Sequence, residues 1–221
     1  MASWMIHLRI ADKLLDKIEG LSPIEFLMGN LAPDSGIPND DGTGFTPSNM
    51  ITHFRSDNGT EQKKINIPAF VESWFTPQLQ KGYDNGQYSF YLGYLVHLIT
   101  DQLWSDMVAV PTIRKFSALY TSDRTAFWET VKRDWYDLDF LYLKKHPGFR
   151  AFRAYLGSVG FVNTYMDVFT PDAFDKRREY ITSFYLQGRD NLERAYPYLT
   201  EAEADRFVAE SSLKILDYLT L

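Results

Sequence analysis

Cysteine is missing from this 221-residue chain, so disulfides and thiolate metal sites are excluded and any metal ligands must come from His, Asp and Glu. Histidine is scarce as well: there are four, which makes each position worth following. Basic charge is in deficit, with 23 Lys and Arg against 29 Asp and Glu and a formal charge of −6. That balance argues against binding bulk nucleic acid or an anionic membrane surface, because such binding is driven by basic patches. A small phosphorylated substrate stays open. Long apolar runs are also lacking. The uncharged stretch before Asp101 is shorter than the ~20 residues a membrane span needs, and it reads as a core helix. The first residues place His7 where a signal peptide would be apolar, and Asp12, Asp16 and Glu19 follow. This argues against secretion by the usual signal and for a cytoplasmic protein.

What the chain does contain is helical periodicity. Trp4, Ile6, Leu8, Ile10, Ala11, Leu14, Leu15 and Ile18 predict a first helix over about 3–18, with His7 on the stripe of Trp4, Ala11 and Leu14. Ser22-Pro23-Ile24-Glu25 reads as a capping box opening a short second helix that ends near Gly29. From about 30 to 66 the period is broken by Pro33, Gly36, Pro38, Asp40, Asp41, Gly42, Gly44, Pro47, Asn58 and Gly59. A loop of that length inside a compact domain is usually functional or disordered, and this one carries Asp34 and His53. Helices are expected over about 68–80, 87–108, 123–144, 171–188 and 201–219, the last opened by a second capping box at Thr200-Glu201-Ala202-Glu203. The region 150–169 is ambiguous, with Gly157 and Gly160 suggesting a break. No repeat, low-complexity tract or convincing alternating strand is visible. The expected architecture is all-α, a single domain over 1–221 with a ligand-bearing part at 1–110 and a helical extension at 111–221.

His97 and Asp101 stand four residues apart in the apolar segment. At helical pitch such a pair lies about 40° apart around the axis, close enough to grip one ion. His7 and His53 fall in separate segments that a helical bundle can bring to the same place, and carboxylates and imidazoles projecting inward from several helices are how bundles build di-metal sites. Asp34, in the rigid turn Ala-Pro-Asp-Ser-Gly, is a natural addition.

In this order the blocks resemble the zinc-dependent phospholipase C family, which includes the single-strand-specific zinc nucleases. The resemblance covers roughly residues 1–105: Trp4 with His7, Gly-Asn-Leu-Ala-Pro-Asp-Ser ending in the Asp34 turn, Thr-His-Phe around His53, and the helix of His97, Asp101 and Trp104. It implies a helix bundle of that family's type, in which Asp34, His53, His97 and Asp101 hold one divalent ion, expected to be Zn2+. His7 would hold a second, with Asp101 bridging the two. It further implies hydrolysis of a small or lipid-derived phosphoester by metal-activated hydroxide attacking phosphorus. Two ions suit this because one lowers the pKa of a bound water while both neutralise charge on the phosphoryl oxygens. Asp34 and Asp101 would be the catalytic carboxylates, Asp34 also accepting a proton from the water.

Two departures stand out. A third ion site in the secreted members uses His and acidic residues after the His-x-x-x-Asp helix, whereas here the only later histidine is His146, so the third ion is expected to be absent or its site rebuilt from carboxylates. Those members also use Trp as the mature N-terminus, while Trp4 follows three residues here.

Plainer readings compete. His97 with Asp101 is also what a buried hydrogen-bonded pair would look like, and His7 alone would be a satisfied core histidine. Trp4 and Trp104 stand beside the proposed ligands and could wall the site, but core packing is the favoured expectation. Asp134, Asp137 and Asp139 span a wide arc among Lys132, Arg133 and Lys144, so a solvated face is expected, and His146 reads as a surface turn. The rival function is a non-catalytic, metal-stabilised helical scaffold acting through a protein partner. A helical phosphohydrolase built on a contiguous His-Asp dyad ranks last, because the chain has no such dipeptide.

Overall fold

The computed structural model describes residues 1–39, 41, 43–55 and 64–220. Its described residues are mostly helical, in keeping with an all-α chain, with a single two-residue hairpin ladder as the only named sheet. Asp40, Gly42, Asn58 and Gly59, expected as turn formers, lie outside the described residues.

Helix α1 (Trp4–Leu15) is capped by Ser3, whose hydroxyl oxygen accepts the Ile6 N–H. Helix α2 (Pro23–Leu31) starts with proline at its first turn, as expected. The expected capping box at Ser22 does not form. The Ser22 hydroxyl accepts an N–H from Asn85 at 2.9 Å, and its backbone N–H, which Glu25 would have met, donates to Ser89 Oγ at 2.9 Å. Partners on another helix have outcompeted the local one.

The stretch expected to be an unbroken loop is only partly irregular. A 3-10 turn (Ala32–Asp34) follows α2, and β1 (Ile37–Pro38) pairs antiparallel with β2 (Phe45–Thr46). Helix α3 (Asn49–Thr52) then ends on His53, and Phe54 adopts φ 49° to turn the chain away. The helix expected over 68–80 is split into α4 (Ile67–Phe70), a π turn (Val71–Phe75) and α5 (Pro77–Gln80). Pro77 supplies the reason: the residue before a proline is pushed out of the helical region, and Thr76 has ψ 152°.

Helix α6 (Asn85–Trp104) opens with a capping box between Asp84 and Gln87. It continues through a π turn (Ser105–Ala109) into α7 (Val110–Lys115). The short α8 (Ser117–Ser122) is not foreshadowed by the sequence pattern; α9 (Arg124–Lys145) is. Helix α10 (Arg150–Gly157) resolves the ambiguous region, and α11 (Ala173–Leu186) and α12 (Glu201–Thr220) complete the chain. Thr200 and Glu203 form the expected box before α12. No helix among the described residues is long and apolar enough to cross a membrane.

The crossing of α2 and α6 does most to position the candidate site. A Cβ on Gly29 would lie 2.0 Å from the Phe90 carbonyl oxygen, and one on Gly93 would lie 2.2 Å from that of Phe26. Only glycine lets the two backbones touch. Buried apolar side chains from both halves of the chain join in one cluster around this crossing.

The carboxylates of α9 overturn the expectation of a solvated face. Asp134, Asp137 and Asp139 are buried. Arg194 donates to Asp134 and Asp137, Arg189 donates to Asp137, and Asp139 accepts from Ser3 Oγ and Tyr185 OH, each at 2.8 Å. A helix covered on more than one side buries an arc too wide for an amphipathic stripe to reveal. Trp104 is fully buried, edge-on to Trp135 and Phe207, and His146 is exposed, both as expected.

Candidate metal centre

Five residues from four segments converge behind the α2–α6 crossing. His7 projects from α1, Asp34 from the end of the 3-10 turn, His53 from the end of α3, and His97 and Asp101 from one face of α6. The three histidines are 0% exposed, and Asp101 is 2% exposed. The His7 and His97 rings stack in parallel with centroids 3.9 Å apart, and His53 meets His97 edge-on.

Hydrogen bonds around the rim fix which atoms face inward. His97 Nδ1 lies 2.7 Å from the Asn30 carbonyl oxygen. A carbonyl only accepts, so Nδ1 carries the proton, and Nε2 of the neutral ring presents its lone pair to the centre. The close backbone approach at Gly93 is what brings the Asn30 carbonyl within reach of that ring. His53 Nδ1 is held by Thr52 Oγ1 at 2.9 Å, which aims its Nε2 at His97 Nε2, 3.2 Å away. Partners of this kind, outside the ring of ligands, are what set tautomer and orientation in metal-binding histidines.

The carboxylates are held in the same manner. Trp4 Nε1–H donates to Asp34 Oδ2 at 2.9 Å, leaving Oδ1 3.3 Å from His53 Nε2. The Ala2 N–H donates to Asp101 Oδ1 at 2.8 Å. Asp101 Oδ2 lies 3.6 Å from His53 Nε2 and 3.7 Å from His97 Nε2 yet makes no hydrogen bond. His7 Nε2 is 3.3 Å from Asp101 Oδ1 without hydrogen-bond alignment, and neither of its ring nitrogens has a partner. Buried polar atoms left unpaired cost roughly 1–3 kcal/mol each, so three in one cluster ask for a shared occupant.

Protonation is consistent with that. Burial, followed by the nearby His7 ring, pushes the His97 pKa down to about 3, so the ring is neutral near pH 7. Burial works to raise both carboxylates, but the N-terminal amine and the His7 and His97 rings hold Asp101 well below the usual range. The hydrogen bond with His53 and the charge interactions with His97 and His53 do the same for Asp34. Two ionised carboxylates beside neutral imidazole is the state in which such groups bind a cation.

The ligand atoms form two groups, His7 with His97 and Asp101, and Asp34 with His53 and His97, each group within 4.8 Å throughout. These buried groups can hold a metal ion. His97 is common to both by position, but one lone pair on Nε2 serves one ion. Asp101, with an oxygen turned to each side, is the residue able to serve two.

Two lobes of a cleft lead to the centre. One, of about 560 Å³, is lined by Asp34, Trp4, Arg55, Lys132 and Tyr136 among others. The other, of about 550 Å³, reaches Asp101, Gln102 and Ser105. Met1, Arg55, Ala109 and Trp128 border both. The centre therefore opens to the cleft through its carboxylates, and the histidines lie behind them.

Trp4 takes the less favoured of its two expected places, beside the ligands, while sequence reasoning missed the Asn30 carbonyl and the Ala2 N–H. A usable signal for Asn30 was present in Gly29 and Gly93, the latter one turn before His97. No protein-family model, no curated protein and no solved structure matches this chain.

Proposed function

We propose that the chain is a metal-dependent phosphoester hydrolase with a helix bundle like that of the zinc-dependent phospholipases C. The observation that carries the reading is the meeting of His97 Nε2 and His53 Nε2 at 3.2 Å beside the unpaired Asp101 Oδ2. The His97 Nε2 lone pair and the unpaired Asp101 oxygen converge on His53 Nε2 in a dry pocket, and a cation taking the place of the His53 proton would satisfy all three at once.

The donor set suits zinc, and the same imidazole and carboxylate ligands also accept iron or manganese. When bound, divalent ions supply Lewis-acid polarisation of a phosphoryl oxygen and activation of water near neutral pH. The residues do the rest. Asn30 keeps the His97 lone pair turned inward, and Thr52 holds the His53 ring with its Nε2 facing the centre. Asp101 offers one oxygen to each group of ligands. Asp34 stays ionised at neutral pH at the cleft wall, its Oδ2 pinned by Trp4, which leaves Oδ1 able to take a proton from an attacking water. The cleft lobes provide room for the ester on the Asp34 and Asp101 side.

The complete burial of the three histidines favours a second reading, in which the ion is a structural pin for a scaffold. A structural ion has all positions filled by protein, while a catalytic one keeps a position for water. Two measurements separate these. Metal analysis of protein purified without chelators is expected to find zinc, iron or manganese. Hydrolysis of chromogenic phosphate mono- and diesters is expected, and Asp101→Asn should abolish it while the helical circular dichroism stays. Bound metal with no hydrolysis would favour the scaffold. No metal, together with unchanged binding of added zinc by His97→Ala, would end both readings.

A further inference from the structure

We infer that the lobe beside Asp34 is an anion-receiving site, which selects phosphoesters carrying a second anionic group and disfavours a cationic one such as choline. The inference rests on the phosphoester reading and adds the charge class of the substrate.

The lobe is locally opposite in sign to the chain. Arg55, Lys132 and Arg177 line it, and among the described residues Asp34, already engaged with His53 and Trp4, is the only carboxylate on its wall. Among the described residues no carboxylate lies within 4 Å of any of the three cations, in a protein whose formal charge is −6. Cations with no carboxylate partner among the described residues, gathered on one concave surface of an acidic protein, concentrate positive potential where a ligand enters.

Arg55 carries the strongest pointer. Its Nε is buried and has no hydrogen-bond partner. A guanidinium N–H deprived of water calls for an acceptor, and an oxyanion fits its planar fork. Arg177 is anchored by donating to the Gly36 carbonyl oxygen at 2.5 Å and by lying over the Tyr180 ring. Anchoring limits its freedom, so less entropy is lost when its remaining donors meet a ligand. Lys132 is exposed on α9 and supplies a mobile charge.

Aromatic walls alone would suit a quaternary ammonium, and Trp4, Trp128 and Tyr136 border this lobe. The cations set among them reverse that preference. A positive headgroup would meet three like charges, while a carboxylate or second phosphate would meet three donors. The flat rings then serve to exclude water around the ion pairs, which strengthens them.

Calorimetric titration of the full-length, metal-free protein with three small phosphomonoesters tests this without relying on turnover. The probes are 3-phosphoglycerate, glycerol 3-phosphate and phosphocholine, which differ in the charge of the second group. Binding is expected to fall in that order, with 3-phosphoglycerate at least about tenfold tighter than phosphocholine and weakened by added salt. Arg55→Gln with Lys132→Gln should erase the ratio while the melting temperature is kept. Lys132→Gln alone, on an exposed position, should lower the ratio about threefold and guards against a folding defect in the double variant. Equal binding of 3-phosphoglycerate and phosphocholine, or a ratio that survives the double variant, would overturn the inference. If the ratio holds but the metal-loaded protein hydrolyses no phosphoester, the anion site stands and the hydrolase reading falls. Hydrolysis with no ratio keeps the hydrolase reading and removes the anion site.

Discussion

Replacing Gly93 by alanine should damage two properties at once, because the same backbone contact sets the helix crossing and the His97 orientation. The added Cβ would sit 2.2 Å from the Phe26 carbonyl oxygen and 2.8 Å from the Asn30 nitrogen, against 3.4 Å where ordinary contact begins. Both neighbours are backbone in a buried helix, so α2 must move away by about an ångström. Overpacking of this kind costs about 1–3 kcal/mol, and with rigid obstacles the upper end applies. Alanine recovers close to 1 kcal/mol through helix propensity, leaving a net loss of about 2 kcal/mol. For a chain of this size that lowers the melting temperature by roughly 4–8 °C. The same displacement draws the Asn30 carbonyl from His97 Nδ1, and loss of such a partner weakens metal binding by about 10–100-fold. Thermal unfolding of the metal-free protein reads the first effect, and competition for zinc against a chromophoric chelator reads the second. Gly157→Ala, with nothing within 4 Å of the new Cβ, is the control and should change neither. A Gly93→Ala protein that melts within a degree of the parent and holds zinc equally well would refute the account of the crossing.

Helix α9 yields two further outcomes. Burial lifts the Asp139 pKa from 3.8 to about 7, against the hydrogen bonds from Ser3 and Tyr185, so the folded state holds a proton that the unfolded chain releases near pH 4. Asp139 therefore withdraws stability as pH rises from about 4 to 7, by ~4 kcal/mol at most, and the stability of Asp139→Asn relative to the parent should climb across that window in urea titrations. A flat difference would sink this. Arg194→Ala should cost about 2 kcal/mol in the same assay, since it strips the buried Asp134 of its guanidinium while Arg189 still reaches Asp137. A loss under about 0.5 kcal/mol, the scale of an ordinary surface change, would contradict the buried network.

Local signals were legible. Thr200 and Glu203 begin α12 as expected, because the cap closes over three residues, whereas the like cap of Asp84 and Gln87 starts α6 two residues before the expected position. Ser22 carried the same motif and failed because its partners lie 63 and 67 positions away, on α6. Distance along the chain also hid the Asn30–His97 bond and the Ser3–Asp139 bond. Periodicity could place His97 and Asp101 on one helix face, but it could not gather His7, Asp34 and His53 around them, because they lie in separate segments of the chain. The basic lobe was invisible for a different reason. Net charge averages over the surface, while Arg55, Lys132 and Arg177 come from three separated segments and share a wall only in the folded chain.

The π turn at Ser105–Ala109, one turn beyond Asp101, gives the cleft a dependence on phase. In such a turn the backbone takes up an extra residue per turn, and every side chain after it is rotated by about 100° relative to an unbroken α-helix. Val110, Ile113 and Arg114, which line the Asp101 lobe, all come after that point. The wall of this lobe is thus set by the length of the helix as much as by its composition. A single-residue insertion or deletion there would present a new set of side chains to the cleft while His97 and Asp101, upstream, stayed where they are. Descendants of this chain could change what the cleft admits without touching the buried histidine and aspartate cluster.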